Sequence, residues 1–130
     1  KLFADIDFTQ GDMIVLPGGM PGTNNLNAFK DLKKVLNDYD FQKKNIAAIC
    51  AAPLILGEMG LLKNKKAVSY PGHEHQLLGA TIMKDRVVVS ENIITSKGPG
   101  TALEFALKLV EILQNKEIAS RIAEAMIVNN

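Results

Sequence analysis

The stretch Ile46-Ala47-Ala48-Ile49-Cys50-Ala51-Ala52-Pro53-Leu54-Ile55-Leu56 decides how this chain folds. Its first four residues form a short apolar run of strand length. Pro53 suits the first turn of a helix, where its missing N–H is one of the unpaired donors in any case. Ala51 to Leu56 therefore predict a helix, with Gly60 fitting its end. Cys50 is left at a sharp turn between strand and helix, the geometry of a nucleophile elbow. The helix N-terminus favours thiolate over thiol there. The small neighbours Ala51 and Ala52 leave room for a substrate. Position alone also fits a plainer role, because free cysteine is among the most buried residue types.

Outward from the elbow, apolar runs alternate with amphipathic ones. Met13-Ile14-Val15-Leu16 predicts a buried strand stopped by Pro17-Gly18-Gly19. Leu26, Phe29, Leu32, Val35 and Leu36 recur at helical spacing with Lys30, Asp31, Lys33 and Lys34 between them, which predicts one amphipathic helix capped by Asn24 or Asn25. Ala67-Val68-Ser69 reads as a third strand. Val87-Val88-Val89 and Ile93-Ile94-Thr95 flank Ser90-Glu91-Asn92 as a hairpin. After Gly98-Pro99-Gly100, Leu103, Ala106, Leu107, Val110 and Leu113 mark a long helix, and Ile118, Ile122, Ala123 and Met126 a last one. Strands alternating with helices over short connections imply a mostly parallel α/β sheet covered on both faces. Such sheets place ligands at the carboxyl ends of their strands. Gly18-Gly19, Cys50 and Ser96-Lys97-Gly98-Pro99-Gly100 all fall there.

Composition narrows the function classes. The 130 residues suit a single domain over 1–130, and 47% hydrophobic content with a formal net charge of +1 excludes intrinsic disorder. That charge balance offers no field for nucleic acid or an anionic membrane. One cysteine excludes an internal disulfide. The apolar stretch Ile46 to Leu56 is too short to span a bilayer, and no basic-then-apolar signal opens the sequence. The expectation is a cytoplasmic protein. His73-Glu74-His75 suggests metal, but no third ligand is evident, so none is expected. Gly98-Pro99-Gly100 before a helix lacks the phosphate-loop pattern and reads as a tight turn. Lys30, Lys33 and Lys34 read as a solvated helix face.

Three motifs in order carry a resemblance: Leu16-Pro17-Gly18-Gly19, Ala48-Ile49-Cys50-Ala51-Ala52-Pro53, and Ser96-Lys97-Gly98-Pro99-Gly100-Thr101. Together they resemble the ThiJ/PfpI superfamily, in its DJ-one branch with bacterial relatives. The resemblance implies a flavodoxin-like (class I glutamine amidotransferase-like) three-layer α/β sandwich that works as a homodimer without a cofactor. It implies Cys50 as the reactive cysteine, an oxyanion pocket from the backbone of Gly18, Gly19 and Ala51, and a site lined by Tyr70, Ser96, Gly98 and Pro99. Three departures matter. Ala51 stands where the peptidase branch has a histidine, which argues against a Cys-His peptidase. Tyr70 stands where the DJ-one branch has a histidine, and His73 and His75 do not align with it. The family also begins with a strand–helix–strand segment that supplies a glutamate against the cysteine, and no acid here maps onto it.

The sequence opens Lys1-Leu2-Phe3 and its first methionine is Met13. The expectation is therefore that the 130 residues are the larger part of a longer domain. Its N-terminal segment would be a separate chain, be removed, or precede Lys1. The mechanism implied is attack of the Cys50 thiolate on the aldehyde of a 2-oxoaldehyde, giving a hemithioacetal and then a 2-hydroxy acid. The deglycase version acts on adducts that such aldehydes form with amines. Rival readings are a redox sensor that works by Cys50 oxidation and a non-catalytic, chaperone-like member.

Overall fold

A computed structural model describes residues 3–125. Two 3-10 turns, Phe3–Asp5 and Phe8–Gln10, precede strand β1, Met13–Leu16. Helices α1 (Gly22–Asn27) and α2 (Lys30–Phe41) lead to β2, Asn45–Ile49. After Cys50 comes α3, Pro53–Glu58, followed by the short strands β3 (Lys66–Ala67) and β4 (Thr81–Ile82). The hairpin β5 (Val87–Ser90) and β6 (Ile93–Ser96) runs into α4, Ala102–Leu113, and α5, Lys116–Ala125.

The main sheet has the order β1-β2-β6-β5. Its β1–β2 and β2–β6 pairs are parallel, and β5–β6 is antiparallel. The period-two alternation of strands sorts residues between two layers. Leu16, Ile46, Ala48 and Ile93 pack with Leu32 and Leu36 of α2 and Leu54 to Leu56 of α3. Ala47 and Ile94 face the other way, onto Phe105 of α4. Helix, sheet and helix make the flavodoxin-like three-layer sandwich. The coverage is unequal, however. Val15 of β1 and Val89 of β5 both lie on the α4 side and are each 47% exposed, so the second face is covered over β2 and β6 and open toward both edges.

Three expectations need correction. The single helix through Leu26 and Leu36 is two helices. Phe29 adopts an extended backbone between them, and its ring meets Phe3 edge-on at 4.7 Å. Asn24 and Asn25 therefore lie inside α1, which Pro21 precedes, and cap nothing. The third strand covers Lys66–Ala67 rather than Ala67–Ser69, and pairs in parallel with β4 in a separate small sheet. Val68 leaves the ladder because its N–H donates to Thr95 Oγ1 at 3.0 Å. The helix after the elbow starts at Pro53, and Ala51 and Ala52 belong to the turn. Met126, placed in the last helix from the sequence, lies outside the described residues.

Candidate active site

Cys50 follows β2 directly and adopts a left-handed backbone, φ 67°. Side chains other than glycine crowd their own carbonyl in that region, at a cost of about 1–2 kcal/mol. The surrounding backbone holds the residue there. Its N–H donates to the Ser96 carbonyl at 3.1 Å, and its carbonyl accepts from the Tyr70 N–H at 2.7 Å. The ends of β2 and β6 and the loop after β3 thus meet at one residue. Cys50 as a residue is partly exposed.

The glycine loop closes against this elbow. A side chain on Gly18 would collide with the Cys50 Cβ and approach the Ile49 carbonyl to 2.7 Å and the Ala51 nitrogen to 3.3 Å. Glycine is required there by space. Gly19 is required by conformation, with φ 97°. Neither the Gly19 nor the Ala51 N–H donates to another described residue, while the Ala52 N–H is spent on the Ile49 carbonyl. α3 is only six residues long and begins three residues past Cys50. No long helix therefore aims its dipole at Cys50, and the unspent donors of these loops are the Gly19 and Ala51 N–H groups.

The third loop contributes differently from its sequence appearance. Ser96 is fully buried, and its hydroxyl donates to the Arg86 carbonyl at 2.8 Å and lies 2.6 Å from Thr101 Oγ1. It meets Cys50 through its carbonyl, while its side chain braces the loop from behind. Gly98 is extended (φ 172°), so space and not conformation explains the glycine. A Cβ there would sit 3.1 Å from Tyr70 Cδ1 and 3.7 Å from Cys50 Sγ. Pro99 is exposed and opens the 3-10 turn Pro99–Thr101 that feeds α4.

The structure thus brings Gly18, Ala51, Tyr70 and Gly98 against Cys50, with Gly19 and Pro99 alongside in the same loops. Sequence reasoning passed over two supports. Thr101 Oγ1 accepts from the Gly98 N–H at 3.1 Å and donates to the Gly98 carbonyl at 2.9 Å. Arg86 donates to the Gly100 carbonyl and to Glu104 Oε1, both at 2.7 Å. Thr101, three residues after Gly98, was a readable signal; Arg86, on the neighbouring strand's approach, was not. His73 turns to Gln76, with Nδ1 at 3.0 Å from Oε1. Glu58 of α3 is engaged by Asn27 at 2.7 Å and by Gln76 at 3.4 Å. Among the described residues, no group of three or more His, Cys, Asp or Glu is placed to hold a metal, and no helix is long and apolar enough to cross a membrane. A hollow of about 470 Å³ lined by Lys43, Asn45, Glu91 and Asn92 lies at the other end of the strands, away from Cys50.

Residues 1–112 match the DJ-1/PfpI family. Protein DJ-1 homolog A of Arabidopsis thaliana is 41% identical over 130 residues, which take in 98% of this chain and 33% of the relative. Glutathione-independent glyoxalase DJR-1.2 of Caenorhabditis elegans is 38% identical over 107 residues, 82% of this chain and 57% of that protein. The solved structure of oxidized Toxoplasma gondii DJ-1 superposes with a TM-score of 0.88 at 42% identity, over 95% of this chain and 68% of the other. The chain therefore spans only part of the length of the curated relatives it matches.

Proposed function

This chain belongs to the DJ-1/PfpI family, and from that premise we propose that Cys50 is the nucleophile of a cofactor-free conversion of 2-oxoaldehydes. The observation that carries the reading is the elbow itself. Cys50 is a partly exposed residue fixed in a left-handed conformation, in the same loops as the Gly19 and Ala51 amides that have no acceptor among the described residues. The naming of the C. elegans relative as a glutathione-independent glyoxalase supports the same chemistry.

The thiolate adds to the aldehyde carbon, the carbonyl electron pair moves to oxygen, and the backbone amides stabilise that oxyanion. A base moves a proton from the former aldehyde carbon to the adjacent one, leaving a thioester of the 2-hydroxy acid. Water then hydrolyses the thioester and returns the thiol. Deglycation uses the same attack on an aldehyde–amine adduct and releases the amine. The base is a carboxylate of the family's N-terminal strand–helix–strand segment, which we place beside β1, the edge strand on the parallel side of the sheet. A homodimer in the cytoplasm is part of the same proposal.

Methylglyoxal mixed with the chain should consume the Cys50 thiol and, with the acid-bearing segment present, yield lactate. Cys50→Ser should abolish both. Turnover by that variant at the wild-type rate, or a thiol untouched by saturating aldehyde, refutes the proposal. The second reading is oxidation sensing. It is favoured by the partial exposure of Cys50 and by the oxidized state of the Toxoplasma relative. Peroxide would convert the thiolate to sulfenic acid and then sulfinic acid. Mass spectrometry should find one and then two oxygens on Cys50 after mild peroxide, and an unmodified Cys50 rules this reading out.

A further inference from the structure

Tyr70 is 48% exposed although Val68 and Ser69 just before it are buried. Its backbone is held on two sides. The N–H donates to the Cys50 carbonyl at 2.7 Å, and the carbonyl accepts from the His73 N–H at 3.3 Å and from Ser69 Oγ at 3.1 Å. The ring is therefore carried by a fixed main chain rather than by a swinging loop. A Cβ on Gly98 would crowd the Tyr70 ring (3.1 Å to Cδ1) while touching the Cys50 sulfur (3.7 Å), so ring and sulfur flank the same glycine. An exposed aromatic ring and the nucleophile thus lie on either side of the buried Gly98, where an added side chain would press on the ring.

We infer that Tyr70 is a specificity-determining residue that selects 2-oxoaldehydes carrying a planar aryl or conjugated substituent over those carrying a methyl group or hydrogen. This rests on the reading of Cys50 as an aldehyde-binding nucleophile. When the thiolate adds to the aldehyde carbon, the new C–S bond anchors the substrate within reach of the ring. The former carbonyl oxygen takes a proton from water, and the substituent packs offset or edge-on against Tyr70. Aromatic pairs prefer these arrangements. A methyl group covers too little of the ring to gain the same contact. Tyr70→Phe keeps the platform, whereas Tyr70→Leu keeps bulk but removes the aromatic face.

The test is an equilibrium titration of the free Cys50 thiol with phenylglyoxal and with methylglyoxal, each referred to a simple cysteine derivative under the same conditions. Free thiol is read, rather than loss of aldehyde, because arylglyoxals also react with arginines. The wild-type chain should favour the aryl aldehyde by about fivefold over the reference thiol, the size of one aromatic contact. Tyr70→Phe should retain that preference, and Tyr70→Leu and Tyr70→Ala should lose it while still binding methylglyoxal. If neither aldehyde consumes the thiol, the reading of Cys50 fails. If both do and the preference is absent, or survives in Tyr70→Leu and Tyr70→Ala, the role of Tyr70 is overturned and that of Cys50 stands.

Discussion

Cys50 holds a backbone angle that glycine adopts freely and that other residues adopt only under constraint. The Ser96 carbonyl, the Tyr70 N–H and the close-packed Gly18 supply that constraint. Local strain at Cys50 is held by interactions elsewhere, and it has a measurable consequence. Cys50→Gly should raise the free energy of unfolding by about 1 kcal/mol, because glycine relieves the left-handed crowding. The same variant should lose all thiol chemistry. Denaturant titration checks the first part, and a fall in stability would show that side-chain packing outweighs the strain.

At the scale of elements, β3 is tied to the main sheet by a side chain. Thr95 is fully buried on β6, and its Oγ1 accepts from the Val68 N–H just past β3. Thr95→Val nearly preserves shape but leaves that buried N–H without an acceptor. The expected loss is about 1–3 kcal/mol by equilibrium unfolding, and amide exchange at Val68 should accelerate. This bond also explains what the sequence concealed. β1, β2 and the β5–β6 hairpin were legible because their apolar runs end in plain punctuation, Pro17-Gly18-Gly19, Cys50 to Pro53 and Glu91-Asn92. β3 was misplaced because Val68 looks like any strand valine, while its partner is a hydroxyl far along the chain. The break at Phe29 was hidden for a like reason, since helical spacing continues through a residue whose backbone is extended and whose ring meets the distant Phe3. The elbow at Cys50 and the stop at Gly18 and Gly19 were readable from residue type and spacing. The inward turn of the Ser96 hydroxyl was not, because a serine in a loop does not announce which neighbour satisfies it.

At the scale of the whole molecule, the first turns of the chain are fastened to its body through Tyr39 of α2. The buried phenol donates to the Phe8 carbonyl at 2.6 Å, and the Lys44 ammonium lies 4.9 Å from its ring centroid. Burial raises the Tyr39 pKa above its ordinary 10.0, and the nearby Asp12 and Asp7 carboxylates add to the shift. The unfolded chain then loses this proton first, so above about pH 10 the native state binds more protons and stability falls as pH rises. Tyr39→Phe should flatten that alkaline decline while lowering stability at neutral pH, because one hydrogen bond is lost. A decline of unchanged slope in the variant would assign the effect to other groups.

The strand order has one more consequence, for the time course of folding. β5 and β6 are joined by the two residues Glu91 and Asn92, whereas β2 must find Ile93 to Ser96 with the whole of α3, β3 and β4 looped out between them. Hairpins close in microseconds, and pairings across long loops wait for the entropy of closure to be met. On closure entropy the hairpin should form before β2 docks on it, an order that φ-values in β2 and β5 would read. Because the Cys50 N–H bonds to the end of that hairpin at Ser96, the elbow should take its shape only once this long-range pairing is made.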